Sequence, residues 1–266
     1  MRRLLLIAAL VTLACGPKRG PGSAGPEVCP DLTPGSHAFR VAGEDRTFLL
    51  LMPPNPPPKL PVVFVWHGLG ATAESMIPRL RLRELATTAA VVVPQASPKA
   101  KLGWGYGPDG REDGAVLDRT LQCLVDQHGV DPDRVSSVGF SAGGFWTTWL
   151  LMNRTDRLAS AVSLSGGVWP PLLPYRTPSS AIPVLATDGG GNDIYETRTT
   201  TVHFDNNTDR LLSSLQADGH ATVHCRSADG HRIPTHRTAL IHDWVLGAHR
   251  GDPTAPAAAP RGCVSD

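Results

Sequence analysis

The chain has 266 residues and a formal net charge of +1, with 25 Lys and Arg against 24 Asp and Glu. With charge so nearly balanced, and only short clusters such as Lys99-Ala100-Lys101, nothing favours nucleic acid or a polyanionic partner. Length and a hydrophobic content of 41% fit one large domain with a full core, and many of the 27 Gly and 25 Pro fall in loops and at the termini.

Arg2-Arg3 precedes an apolar run, Leu4 to Ala14, that is too short to span a bilayer and is placed as an export signal. The run ends in Thr12-Leu13-Ala14-Cys15-Gly16, which resembles the lipobox of bacterial lipoproteins. That resemblance implies a signal over residues 1–15, lipid modification of Cys15 and a place in the cell envelope, with the membrane met only through the lipid. The alternative is ordinary cleavage, giving a secreted or periplasmic product. Residues 16–36, rich in Gly and Pro, cannot pack a core and are expected to form a flexible tether. Without Cys15 the chain keeps Cys29, Cys123, Cys225 and Cys263, an even number that suggests two disulfides with three connectivities. Cys123, inside an apolar helical pattern, could instead be a buried thiol.

From residue 37 the pattern alternates. His37 to Ala42 and Arg46 to Met52 read as strands around a turn at Gly43-Glu44-Asp45. Pro61 to Trp66 is a continuous apolar strand of the kind buried on both faces of a parallel sheet. Ala73 to Ala89 has helical periodicity interrupted by Pro78, and Ala90 to Pro94 is another buried strand. A Gly- and aromatic-rich loop, 103–107, leads to a helix over Arg111 to Gln127. The next strand starts at Arg134 and runs into Gly139-Phe140-Ser141-Ala142-Gly143-Gly144, followed by a buried helix from Phe145 to Met152. Strands at Ser160 to Leu164 and Ile182 to Ala186, a helix at Phe204 to Asp218, a strand at His220 to Cys225 and a helix at Thr235 to His249 complete the pattern. This predicts one α/β domain over 37–250, a mostly parallel sheet with helices on both faces, and an irregular tail over 251–266.

Strand, sharp turn and helix with Ser141 at the apex make a nucleophile elbow. Glycines flank it because strand and helix backbones pass too closely for a Cβ. A serine hydroxyl needs a base to take its proton, and the base needs an orienting acid, in the chain order Ser, acid, His. The acid should follow the strand ending at Ala186, where Asp188 and Asp193 both stand; the glycine loop between them favours Asp193. The base should follow the last strand, which selects His231 in the loop before the closing helix. The N–H groups of Ala142 and of Leu69, in His67-Gly68-Leu69-Gly70, are the candidate oxyanion donors, with His67 bracing its loop.

These motifs fall in order with Gly103-Trp104, Asp131-Pro132-Asp133-Arg134-Val135, Ser165-Gly166-Gly167 and Gly230-His231-x-x-Pro234. Together they resemble the polyhydroxybutyrate depolymerase, feruloyl esterase and acetyl xylan esterase group of α/β hydrolases. The resemblance implies an α/β-hydrolase fold, a Ser141, Asp193, His231 triad and carboxylic ester hydrolysis without metal or cofactor. In one departure from the group, Asp188-Gly189-Gly190-Gly191-Asn192-Asp193 is a residue longer than its acid loop. Only residues 166–181 separate two strands where other α/β hydrolases insert a lid, so an open site for a bulky or polymeric ester is expected. Trp104, Tyr106, Trp169 and Tyr175 are candidates to line it, and no protein partner is evident. A peptidase on the same scaffold and a catalytically silent surface-binding homologue are the alternatives.

Overall fold

The computed structural model describes residues 28–106, 110–170 and 172–265. The expected export signal and Cys15 lie outside them. The first two strands, β1 (Gly35–Val41) and β2 (Glu44–Leu51), form a hairpin. Its turn is Ala42-Gly43, one residue earlier than expected, with both residues at positive φ (50° and 80°). Two such residues match the right-handed twist of the paired strands.

The fully buried strands β3 (Val62–Trp66), β4 (Ala90–Pro94), β5 (Val135–Phe140), β6 (Ser160–Leu164) and β7 (Val184–Asp188) make the centre of the sheet. After the short hairpin of β8 (Ile194–Glu196) and β9 (Thr201–His203), β10 (Thr222–Arg226) extends that sheet, and β11 (Val264–Ser265) closes it. Among the described residues the order is β1-β2-β4-β3-β5-β6-β7-β10-β11, parallel from β4 to β10 and antiparallel at both edges.

Residues alternate along β3 between two cores. Val62, Phe64 and Trp66 pack with α3 (Arg111–His128), α4 (Ala142–Asn153) and α5 (Phe204–Ala217). Val63 and Val65 face α1 (Ala73–Arg79), α2 (Leu82–Leu85) and α6 (Thr238–Gly247). The single helix expected over 73–89 is thus two. Pro78 sits in the last turn of α1, and Arg81 in the left-handed region (φ 49°) redirects the chain into α2.

Both ends of the described chain are stapled. The segment expected as tether is held from residue 29 onward: Cys29 is disulfide-bonded to Cys123 of α3, Leu32 is fully buried, and the Leu32 N–H donates to Gln127 Oε1 at 2.9 Å. At the other end a Cys225–Cys263 disulfide and the two residues of β11 fix the tail expected to be irregular, and Ala257 and Ala259 pack on the core. Cys123 is therefore half of a crosslink and not a free thiol.

One buried ion pair ties the sheet to α3. Arg46 of β2 donates to Asp113, whose other oxygen accepts the Gly105 N–H at 2.7 Å, so strand, helix and the loop after β4 share one carboxylate.

Candidate active site

At the junction of β5 and α4, Ser141 adopts φ 57° and ψ −118°, a conformation that an L residue holds only under constraint from its surroundings. A Cβ on Gly143 would lie 2.0 Å from the Trp66 carbonyl oxygen, so glycine is required for α4 to start against β3. The strain lifts the Ser141 hydroxyl off the end of the sheet and places it at the N-terminus of a buried helix.

His231 Nε2 lies 2.9 Å from Ser141 Oγ, and its Nδ1 lies 2.6 Å from Asp193 Oδ1. A carboxylate can only accept, so Nδ1 carries the proton and Nε2 is free to accept from the serine. Asp193 is fully buried, yet all its demands are met: Oδ2 accepts from Ser165 Oγ at 2.7 Å and from the Gly189 N–H at 2.8 Å. The acid and base loops dock directly on each other. A Cβ on Gly189 would stand 2.0 Å from the Gly230 carbonyl oxygen, and the Gly230 N–H donates to Gly189 at 3.2 Å.

Asp188, the other carboxylate considered, is engaged elsewhere. It accepts from His224 Nε2 at 2.6 Å, Arg226 Nε at 2.8 Å and the Gly190 N–H at 2.9 Å. Burial pushes its pKa up, but the hydrogen bonds from His224 and Arg226 outweigh burial and hold it below the usual carboxylate value. A 3₁₀ turn, Gly190–Asn192, leads the chain from Asp188 to Asp193.

The loop after β3 borders Ser141: a Cβ on Gly68 would be 3.3 Å from that of the serine. Among the described residues no carbonyl accepts from the Leu69 or Ala142 N–H. His67 is buried and braces this loop, its Nδ1 2.8 Å from the Gly68 carbonyl and its Nε2 accepting the Ala96 N–H at 3.1 Å. Burial pushes its pKa down, which keeps the ring neutral.

Ser141 and His231 open on a cavity of about 430 Å³. Tyr106, Phe145, Trp169 and Phe204 form much of its aromatic wall. The Tyr106 hydroxyl lies 2.7 Å from the Ala142 carbonyl, and burial pushes its pKa well up. Two aromatic candidates do not line the cavity. Trp104 is buried against Trp66 and Trp146 and donates to the His67 carbonyl at 2.9 Å, while Tyr175 donates to Asp218 at 2.6 Å. Trp104 is drawn into the core by its large apolar area, whereas Tyr175 is half-buried and turned to a carboxylate partner at the surface.

A further element also borders the cleft. The β8–β9 hairpin, inserted between Asp193 and α5, contributes Tyr195, Thr197, Thr199, Thr200 and Val202 to its wall. Sequence reasoning missed this hairpin; its signal is the β-branched run Thr199-Thr200-Thr201-Val202. It also missed Ser165, which is recorded only as part of Ser165-Gly166-Gly167 and sits in the left-handed region (φ 45°) with its hydroxyl on Asp193. Among the described residues, no cluster of three or more His, Cys, Asp or Glu is placed to hold a metal ion.

The profile of the prolyl oligopeptidase family, Peptidase_S9, matches residues 118–214. A putative esterase, NocK, of Nocardia uniformis subsp. tsuyamanensis is 31% identical over 174 residues, covering 62% of this chain and 50% of that protein. Feruloyl esterase D of Neurospora crassa is 28% identical over 180 residues, covering 61% of this chain and 59% of that protein. The chain thus spans only half to three-fifths of the length of these relatives. Among solved structures, native pOPH superposes with a TM-score of 0.72 at 17% identity over 90% of this chain and 96% of that one. An esterase of Pyrobaculum calidifontis gives 0.63 at 16% identity, over 79% and 83%. By its parallel sheet, its serine elbow and these likenesses, the chain has the α/β-hydrolase fold, with esterases among the proteins it resembles.

Proposed function

We propose that this protein is an exported serine esterase in which Ser141, His231 and Asp193 form the catalytic triad. The observation that carries the reading is the unbroken relay from Ser141 Oγ through His231 to a buried carboxylate, at 2.9 Å and 2.6 Å. In the first half-reaction Ser141 Oγ attacks the ester carbonyl carbon while His231 Nε2 takes its proton. The Ala142 and Leu69 N–H groups stabilise the negative oxygen of the tetrahedral intermediate, and the α4 N-terminus adds to the field. The intermediate collapses as His231 returns the proton to the departing alcohol, leaving Ser141 acylated. Water, deprotonated by the same imidazole, then attacks the acyl carbon; the acyl–Oγ bond breaks, His231 returns the proton to Ser141 Oγ, and the acid departs. Asp193 keeps Nδ1 protonated and steadies the imidazolium that forms at each step.

The substrate is a carboxylic ester of the feruloyl, acetyl-polysaccharide or polyhydroxyalkanoate kind, the feruloyl esterase relative favouring the first. The aromatic wall of Tyr106, Phe145, Trp169 and Phe204 suits a planar or bulky apolar group. Export through residues 1–15 and lipid attachment at Cys15 belong to the same reading, with residues 37–250 as its catalytic domain. Two disulfides fit an oxidising compartment. A peptidase is the second reading, favoured by the prolyl oligopeptidase profile match.

Labelling with a fluorophosphonate, followed by turnover of p-nitrophenyl esters, methyl ferulate and peptide amides, tests these readings. Adduct formation at Ser141 with ester turnover supports the esterase. Amide turnover at a comparable rate would transfer the reading to a peptidase, and no adduct would leave a binding protein.

A further inference from the structure

The His231 ring is fixed by more than its two hydrogen bonds. Phe140 stacks on one side, with ring centroids 4.9 Å apart and planes 27° from parallel. Phe204 also stacks on the imidazole, closer still, at 4.3 Å and 17°. Phe140 is the residue before Ser141 on β5, and Phe204, the first residue of α5, gives its N–H to the Asp193 carbonyl at 2.9 Å. Each ring is thus bound through backbone to one of the other two triad members. Phe204 is buried and itself stacks on Phe145 of α4, at 5.4 Å and 28°, so it is anchored in turn.

We propose that Phe140 and Phe204 are positioning residues that hold the His231 imidazole in the one ring orientation able to relay a proton between Ser141 and the substrate; this rests on the triad reading above. A half-turn about the Cβ–Cγ bond would exchange Nδ1 with Cδ2 and Nε2 with Cε1. Carbon would then face both Asp193 and Ser141, and the relay would be cut. The two hydrogen bonds set the ring's place in its own plane and oppose that turn together, and once the Nε2 bond breaks only the Nδ1 bond to Asp193 still does. During turnover the Nε2 bond must break, because Nε2 passes its proton from the serine to the leaving oxygen. The stacked rings continue to restrain the imidazole at that moment, and they need no hydrogen bond to do so. A leucine could fill the same apolar space but presents no flat face, so planarity is the property on which the proposal turns.

The test uses the full chain and the substitutions Phe140→Leu, Phe204→Leu, Phe140→Tyr and Phe204→Tyr. Two readouts need no known substrate: the rate of Ser141 modification by a fluorophosphonate, and the downfield proton resonance of the Nδ1–H between His231 and Asp193. The leucine variants are expected to slow labelling about tenfold or more, as misplacement of a catalytic group does, and to broaden the resonance. On any ester that the parent hydrolyses, kcat should fall by more than KM rises. At least one tyrosine variant should keep labelling within about twofold of the parent, since a ring restores the face. Folded leucine variants with parental labelling and a sharp resonance would overturn the proposal, as would tyrosine variants no better than leucine. Should a leucine variant fail to fold, the methionine substitution at the same position carries the same expectation. If the parent hydrolyses no ester, the esterase reading fails, while labelling and the resonance still decide the role of the two rings.

Discussion

A methyl group on Gly139 would stand 1.9 Å from the carbonyl oxygen of Gly143, because β5 and α4 cross in contact at the elbow. Neither backbone can retreat, since a Cβ on Gly143 would in turn meet the Trp66 carbonyl of β3. Gly139→Ala and Gly143→Ala are expected to cost about 3 kcal/mol or more, at the upper end of core overpacking. Urea unfolding measures the loss, and fluorophosphonate labelling of whatever remains folded should show Ser141 displaced.

Asp193 and Asp188 should separate cleanly. Asp193→Asn removes the acceptor that fixes the tautomer of His231 and should lower kcat by about 10⁴, as loss of a triad carboxylate does. Asp188→Asn instead breaks the contacts to His224 and Arg226 and should leave kcat within about tenfold, at a cost in stability, because no hydrogen bond joins it to His231. Steady-state kinetics beside unfolding curves for both variants would decide between the two acids.

Acid should destabilise the fold in two windows. His67 and His220 have pKa values pushed below 6.5 by burial, so the unfolded chain takes up these protons first and stability falls as pH drops through about 6.5. The carboxyl of Asp188 is held below 3.8, so its contribution is complete above that value and is lost as pH falls through the lower folded one. Urea midpoints followed from about pH 8 to about pH 3 should fall in both windows, and Asp188→Asn should flatten the second alone.

The aromatic residues should divide into wall and core. Trp169 lines the cavity and stacks on Phe145, so Trp169→Ala is expected to raise KM for bulky esters more than it lowers kcat. Trp104→Ala should cost about 3–5 kcal/mol by emptying a buried cluster. Kinetics on a short and a bulky p-nitrophenyl ester, beside thermal unfolding, separates the two effects.

The parallel sheet and elbow were legible because they depend on local signals: apolar runs of strand length, and glycines where backbones touch. That Ser141, Asp193 and His231 come within hydrogen-bonding distance is legible for a topological reason, since each loop must leave a strand at the same end of the sheet. What escaped was set by contacts between distant segments. Nothing near Trp104 announces that Trp66 and Trp146 will enclose it, and Ser165 gains its meaning only when Asp193 arrives from the next loop. The β8–β9 hairpin is too short to register as periodicity, with three residues in each strand. The tether and tail were read from composition, which does not reveal that Cys29 and Cys263 each find a partner on the body.

The last of these crosslinks has a practical consequence. The two residues of β11 lie against β10, and the Cys225–Cys263 bond clamps that short segment in place. In a reducing cytoplasm the clamp would open, leaving β10 as an uncovered border ready to template pairing with another molecule. Recombinant production should therefore give more self-associated material from a reducing host than from the bacterial periplasm, a difference that gel filtration would register before any assay.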